Sequence, residues 1–484
     1  MDINCFPKTW DEEADVIVVG SGFAGLAAAI EAKNAGASVI ILEKMKGFGG
    51  NSTISDGVMA AAGTSLQEKL GIQDSPKLMA SDMMKAGHHL NHPDLVRTVA
   101  EHSAEAFHWT VDYLGVQYLD RVDQFGGHTV PRGHKTNKGA GAALVRQLLE
   151  KAKSLGVPIR TRTNLKKIVN DSENRVCGVL IQEEYEYPDR TSGTQKHIKA
   201  HKAVILATGG FGNDIGFRSA QDPRLSDAVA TTNKYSTTAE SLKEAMRIGA
   251  MPVHLSWIQL GPWTTPDEKG YGVGGDFAAY IAFPYGIIVN PETGLRIVNE
   301  MGNRKLRCDA ILRTGRPCIG IADSKGVEAS GHSINRVLKK GIIKSFQNTE
   351  EISQAYHIPN RHLRGTIQKF NEAVVTKKDE QFGKPIFTTA HPLNNPPFYC
   401  IRLWPKIHYT MGGLLINSHA QVLDLENHPI RGFFAAGEVT GGVHGASRLG
   451  TCAITDCLVF GRIAGRNAAI GRNALQQNKK ITEG

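Results

Sequence analysis

An apolar run, Ala14 to Val19, stops at Gly20-Ser-Gly22-Phe-Ala-Gly25, passes into an Ala-rich stretch at helical spacing, and is followed by a second apolar run, Ser38 to Leu42, that ends at Glu43. No other feature of the chain constrains its fold as strongly. Glycines between a buried strand and a helix let the backbone approach a pyrophosphate at the helix N-terminus, and an acid closing the second strand accepts from a ribose hydroxyl. A lone Gly fingerprint is a weak signal. Here a second Gly-rich strand end, Phe433-Phe-Ala-Ala-Gly437-Glu438, comes far downstream, followed by Gly441-Gly-Val-His444-Gly-Ala-Ser-Arg448-Leu-Gly450. Two such strand ends around a long middle point to FAD, whose flavin end must be gripped by a distant part of the fold.

At 484 residues, 41% hydrophobic and 21% charged, the chain has the size of two or three domains and the composition of an ordinary soluble α/β protein. No apolar run reaches the roughly 20 residues that span a bilayer. The first eight residues lack the basic region and apolar core of a secretory signal. The expected compartment is therefore the cytoplasm, or the periplasm if a signal has been removed. The seven cysteines never fall in CxxC or CxxCH spacing, which argues against attached haem, a zinc site or a disulfide framework. A redox protein of this kind takes its electrons from a separate donor. The net charge of +9 is spread along the chain with few aromatics interleaved, which disfavours nucleic acid as a partner. It suits either a plain solvated surface or attraction of anionic substrates and an acidic electron carrier.

The pattern predicts helices from about Ser75 to Gly115, with Ser75 as N-cap and Pro76 in the first turn, and another from Gly141 to Leu155. Strand-like pieces at 159–163, 165–169 and 178–183 suggest a small sheet of their own. Lys202 to Ala207 reads as a buried strand closing over the cofactor. From about 254 to 397 the βαβ character is lost, which suggests an inserted cap. It resumes near Ile407 and finishes in a helix from Ala453 to Arg472.

Three further stretches, Val298-Asn-Glu300-Met-Gly-Asn-Arg304, His408-Tyr-Thr-Met-Gly-Gly413 and the Ala436 to Gly450 segment, together resemble the flavoproteins of the fumarate reductases and succinate dehydrogenases. The likeness is strongest to the flavocytochrome-type fumarate and urocanate reductases without their haem domain. It implies an α/β fold: a Rossmann-like FAD-binding domain over 1–253 and 398–484, interrupted by an α+β cap over 254–397. It further implies hydride transfer from reduced flavin N5 to the β-carbon of an α,β-unsaturated carboxylate, with Arg304 delivering a proton to the α-carbon. His408 and Arg448 match the family's carboxylate clamp, a role for which a guanidinium fork and an imidazole donor are chemically suited. For the cofactor, the resemblance points to Gly20, Gly22, Gly25, Glu43 and Lys44. It adds Gly50, Asn51, Ser52 and Gly57, then Ala207, Thr208 and Gly209, and finally Glu438, Ser447 and Leu449. Membrane-bound relatives link flavin to a His where this chain has Ser52, so non-covalent FAD is expected. The donor would be a cytochrome c, a flavodoxin or reduced flavin. His128, Arg132 and His134 lie in a family-like loop, and a structural role and a cofactor-supporting role stay equally open for them.

The chain departs from the family in the cap. Dicarboxylate reducers carry Q-x-H-P-T, with the His on the second carboxylate. Here the segment reads Gln259-Leu-Gly261-Pro262-Trp263. Ala278 and Ala279 stand where the family has a Thr-Glu pair, and Ala282 where it has a relay Arg. A second carboxylate at this end would be desolvated without a partner, which is costly. The expected substrate is a monocarboxylic enoate, acrylate-like or aryl-acrylate-like. Gly261, Trp263, Ala278, Ala279, Tyr280 and Tyr409 are its expected contacts, and open space beside Gly261 would admit something larger than fumarate. Tyr280 and Asp276 are candidates for resupplying the proton. The alternatives are a 3-ketosteroid (enone) dehydrogenase or reductase, a true fumarate reductase, and a catalytically idle electron-transfer or binding flavoprotein.

Overall fold

A computed structural model describes residues 6–138 and 140–471. Its central sheet has eight strands: β1 (Glu12–Val19), β2 (Val39–Leu42), β3 (Ile159–Arg160), β4 (Asn164–Asn170), β5 (Val176–Glu183), β6 (Thr194–Leu206), β7 (Gln421–Leu423) and β8 (Pro429–Ala435). Across the sheet the order is β7-β8-β6-β1-β2-β3, with the β4–β5 hairpin attached to β6. Strands β8, β6, β1, β2 and β3 run parallel; Val18 faces Ile41 on one side and Ile205 on the other, and Ile205 in turn faces Phe434. Near-continuous apolar runs such as Val16 to Val19 and Ala203 to Leu206 are what a sheet covered on both faces requires.

The small separate sheet expected over 159–183 does not form. Strand β6 begins at Thr194, well before the apolar run Ala203 to Leu206 that betrays it, and this polar extension carries the β4–β5 hairpin, while β3 joins the far edge beside β2.

Helix α1 (Phe23–Asn34) follows the glycine turn, and α2 (Cys452–Ile470) crosses it at close range. A Cβ on Gly461 would lie 2.6 Å from the Ala24 carbonyl oxygen, and one on Gly465 would lie 2.9 Å from Ala28 Cα, so small residues on both helices permit the approach. The contact ends in an ion pair between Glu31 and Arg462 at 2.7 Å. Of the predicted last helix, Arg472 lies outside the described residues. Ser75 caps the helix Pro76–Ala86 as expected, its hydroxyl accepting from Leu78 N at 3.2 Å.

The middle of the chain builds a second, antiparallel sheet in the order Ile287–Val289, Cys318–Asp323, Phe398–Leu403, Ile343–Phe346. Strand Phe398–Leu403, placed on the FAD-binding side of the expected boundary, belongs to this sheet because all six of its residues pair with Cys318–Asp323. Helices Arg304–Arg313 and Asn360–Thr376 belong to this part, which has apolar cores of its own around Phe277, Phe283, Ile401 and Phe370. A two-stranded ribbon, Ile258–Gly261 against Lys406–Thr410, lies where the chain leaves for this part and returns, setting Gln259 opposite Tyr409. Among the described residues no helix is long and apolar enough to cross a membrane.

Candidate active site

Two adjoining cavities follow the glycine turns. The first, about 130 Å³, is lined by Gly20, Gly22, Glu43, Lys44, Gly50, Asn51 and Ser52, and on the other side by Ala207, Thr208 and Gly209. Gly20 has φ +106°, and a Cβ there would collide with the Ala207 carbonyl, so only glycine keeps this turn open. Gly25 lines neither cavity; its missing side chain lets α1 press on the Gly20 carbonyl. Glu43 is anchored by Ser21, whose hydroxyl donates to Oε2 at 2.6 Å, and by Met45 N at 2.9 Å on Oε1. Ser52 Oγ accepts from Phe23 N, the first residue of α1, at 3.1 Å. Lys44 is held by Thr238 at 2.9 Å and Glu240 at 3.3 Å.

The second cavity, about 180 Å³, shares Phe23, Asn51, Ser52, Glu438 and Cys457 with the first. Burial pushes the Glu438 carboxyl up to about 7, although Thr410 N donates to it at 2.9 Å. Gly57 lines this second cavity and not the first.

Three arginines line it as well. Arg304 and Arg307 sit one turn apart at the start of the helix Arg304–Arg313, whose N-cap Asn303 accepts from Leu306 N at 3.0 Å. Arg448 comes from the glycine loop after β8. Among the described residues none of the three makes an ion pair. Arg304 donates to Gln259 Oε1 at 3.2 Å and stacks its guanidinium 4.4 Å over Trp263. Arg307 lies 4.7 Å over Phe283. Arg448 lies 4.6 Å over Tyr409; its Nη1 donates to the Leu449 carbonyl at 3.2 Å, and its Nε has no partner among the described residues. Burial, with repulsion from Arg448 and Arg307, holds Arg304 well below its ordinary value; burial lowers Arg307 to about 10. Unpaired guanidiniums around one cavity create a site whose electrostatics call for an anion.

His408 stands beside them on the ribbon strand. Its Nδ1 is 2.9 Å from Thr232 Oγ1 and its ring meets Trp263 edge-on at 4.9 Å. Burial, then the charges of Arg304 and Arg448, hold the imidazole well below its usual value, so it is neutral at physiological pH.

Of the residues singled out in the sequence, Arg304, His408, Arg448, Trp263, Ala279, Tyr409, Asp276 and Glu438 all face this one cavity. Gly261, Ala278, Tyr280, Ser447 and Leu449 do not line either cavity. Tyr280 stacks on His332 at 4.2 Å and donates to Asp56, and Ser447 accepts from Gln259 Nε2 at 3.0 Å. The open space expected beside Gly261 is filled, because a Cβ there would lie 3.3 Å from the Trp263 ring. His128, Arg132 and His134 also lie outside both cavities; His128 Nε2 is 2.7 Å from the Gly450 carbonyl, Arg132 Nη1 is 3.0 Å from His128 Nδ1, and His134 Nε2 is 2.9 Å from Thr64 Oγ1.

Sequence reasoning missed Arg307, Thr232 and Tyr271 as cavity residues and Gln259 as the partner of Arg304. The spacing of three between Arg304 and Arg307 is a helical signal that could have found the first. Thr232 is 176 residues from His408, and no local pattern announces that contact.

The family described as FAD binding domain matches residues 15–454 of the chain. The acrylate reductase flavoprotein subunit of Shewanella woodyi is 41% identical over 464 residues, covering 94% of this chain and 91% of that protein. Among solved structures, an open conformation of a flavocytochrome c3 fumarate reductase matches with TM-score 0.75 at 34% identity, over 95% of this chain and 79% of that one. A 3-ketosteroid-Δ4-(5α)-dehydrogenase from Rhodococcus jostii RHA1, in complex with 4-androstene-3,17-dione, matches with TM-score 0.75 at 25% identity, over 96% of this chain and 98% of that one.

Proposed function

The chain belongs to the FAD-binding domain family, and from that premise we propose that it reduces the C=C bond of an α,β-unsaturated monocarboxylate, acrylate-like or aryl-acrylate-like, with electrons from a separate donor. The observation that carries this reading is the set of three unpaired arginines around one cavity, next to a cap wall of Trp263, Tyr271, Gly275, Asp276, Ala279 and Phe283 that holds no histidine for a second carboxylate.

The first cavity fits the ADP half of FAD. Its glycine turn admits no Cβ, Glu43 closes β2 beside it, and it opens at Glu438 and Asn51 into the arginine cavity. Bound there, FAD supplies the hydride that goes to the β-carbon. Ser52 offers a hydroxyl where a flavin-linking His stands in membrane-bound relatives, so the cofactor is held without a covalent bond.

Arg448 and His408 grip the substrate carboxylate. In the tautomer whose Nδ1 accepts from Thr232, the neutral imidazole has Nε2–H left to donate, and the Arg448 guanidinium brings the counter-charge its surroundings lack. Arg304 stabilises charge that develops toward the carboxylate as the β-carbon is reduced, and passes a proton from its guanidinium to the α-carbon. Its depressed affinity for that proton, from burial and from Arg448 and Arg307, favours the transfer. Gln259 and Trp263 hold the guanidinium in place. Residues from about 254 to 403 act as the cap over this site. The basic surface suits an acidic electron carrier.

The test is anaerobic oxidation of reduced methyl viologen by the FAD-loaded protein, offered acrylate, methacrylate, cinnamate, urocanate, fumarate and 4-androstene-3,17-dione. Turnover of a monocarboxylate that is lost in Arg304→Ala supports the proposal. Turnover of fumarate alone overturns the reading of the cap wall. The likeness to the steroid dehydrogenase favours an enone as the second reading, and Tyr409 lies in the cavity to polarise a ketone. Against it, a neutral steroid would leave three guanidiniums without a counter-charge. Turnover of the steroid alone would reverse that judgement.

A further inference from the structure

Trp263 is 6% exposed and its ring is seated in a slot that two glycines make. A Cβ on Gly261 would lie 3.3 Å from Cε2 and Cζ2, and a Cβ on Gly275 would lie 2.8 Å from Cδ1. The first contact is already tight, and the second forbids any side chain at 275 with the ring in place. The turn that presents the ring is pinned: Thr264 Oγ1 donates to the Gly261 carbonyl at 2.8 Å and to the Trp404 carbonyl at 2.7 Å, and Trp404 N returns a bond to the Thr264 carbonyl at 2.9 Å. One face of the indole carries the Arg304 guanidinium at 4.4 Å, and the ring meets His408 edge-on at 4.9 Å. Set beside the Q-x-H-P-T pattern, two sizes have been exchanged. Position 261 has lost its side chain and position 263 has gained the bulk, which refills the same corner with a group that donates to nothing there.

We propose that Trp263 sets the substrate range, its ring closing the end of the cavity beside Arg304 so that only a short enoate with a single carboxylate fits. This deepens the reductase reading above and rests on it. A distal carboxylate would find at this corner the bulk of an indole and one neutral donor, the Nε1–H that has no partner among the described residues, in place of the imidazole that the Q-x-H-P-T pattern supplies. An aryl substituent would need the volume that the ring already fills, and the packing of Gly261, Gly275 and the pinned turn leaves the ring no place to retreat. Trp263 serves Arg304 at the same time: the ring face supports a cation that has no carboxylate partner among the described residues. Specificity and proton delivery thus share one side chain, and a larger pocket cannot be gained without loosening the arginine.

The experiment compares FAD-loaded wild type, Trp263→Ala and Trp263→Phe. Calorimetric binding of the unreactive acids propionate and 3-phenylpropionate is read beside kcat/KM for acrylate and cinnamate. Wild type should bind propionate and refuse 3-phenylpropionate. Trp263→Ala should bind 3-phenylpropionate, and its cinnamate-to-acrylate ratio of kcat/KM should rise about tenfold or more, with Trp263→Phe between the two. Wild type that accepts both acids alike, or Trp263→Ala with an unchanged preference, overturns the inference. If Trp263→Ala does not retain flavin, Gly275→Ala, whose Cβ drives the ring from its slot, must shift the preference the same way; no shift there overturns it. Failure of wild type to bind propionate or to turn over acrylate sinks the reductase reading itself, a result distinct from an unaltered preference in the variants.

Discussion

Arg304 donates to the Oε1 of Gln259 at 3.2 Å, and the same amide's Nε2 donates at 3.0 Å both to Ser447 Oγ and to the Arg448 carbonyl. One buried side chain therefore spans the cap helix that carries Arg304 and the glycine loop that carries Arg448. Gln259→Leu keeps the bulk and removes all three bonds. Because an error of about 1 Å in the placing of a reacting group can cost about 10²-fold, we expect kcat on acrylate to fall by about that factor. Flavin content should remain, since Gln259 lines neither cavity. Steady-state kinetics beside the absorbance of bound flavin check this, and an unchanged kcat would show that Arg304 is placed by Trp263 alone.

Glu438 gives a pH signature. Its carboxyl is raised from an ordinary value of 4.5 to about 7, chiefly by burial. Between those two values the folded protein holds a proton that the unfolded chain has released, so stability from this group is complete below about 4.5 and is lost as pH rises through 7. Melting temperatures of wild type minus Glu438→Gln, taken from pH 4.5 to 8, should decline across that window and flatten above it. The subtraction removes the histidines, whose depressed values act with the opposite sign. A flat difference would mean that Glu438 is already ionised in the folded protein.

The place of Ser52 makes a prediction that needs no variant. Its hydroxyl accepts from Phe23 N at 3.1 Å at the start of α1, close to the cofactor cavity, and offers no imidazole for a flavin bond. Acid precipitation of the yellow holoprotein should leave essentially all flavin in the supernatant. Colour that stays with the pellet would reveal a covalent link formed elsewhere.

What was legible in the chain was whatever depends on neighbours in sequence. The turn Gly20 to Gly25, the acid closing β2, the Ser75 cap and the GASRLG loop each carry their geometry in a few consecutive residues. Pairings between distant segments were not legible. The polar beginning of β6, from Thr194, hides its role as the support of the β4–β5 hairpin because only half of that strand is apolar. Phe398–Leu403 reads as a return to the first sheet and pairs instead with Cys318–Asp323. At the site, the residue types of Arg304, His408 and Arg448 and their motifs brought them forward. Arg307 follows Arg304 and Lys305 in a short basic stretch that carries no motif of its own, and it reaches the cavity packed over Phe283. The missing side chain at Gly261 suggested empty space, and the packing shows why it is not: the ring of Trp263, two residues along the turn, folds back over it.

Arg132 is fully buried, with its fork divided between two carboxylates: Nε and Nη2 reach Asp74 at 2.9 and 2.8 Å, and Nη1 reaches Asp82. The same Nη1 lies 3.0 Å from His128 Nδ1, and His128 Nε2 lies 2.7 Å from the Gly450 carbonyl, two residues after Arg448. Burial, and then the charge of Arg132, lower this histidine to about 4. Replacing Arg132 by Leu leaves two buried carboxylates without their cation, and breaking a buried pair from one side costs about 3–5 kcal/mol. Chemical denaturation should register that loss. The variant should also move His128 upward, because a repelling charge is gone while Asp82 remains. The histidine would then take up its proton at a less acid pH, and since Nε2–H donates to the Gly450 carbonyl in either form, the turn beside Arg448 keeps its anchor. A proton NMR titration of the His128 ring should place its midpoint above that of wild type, and an unshifted midpoint would mean that burial without Arg132 depresses it.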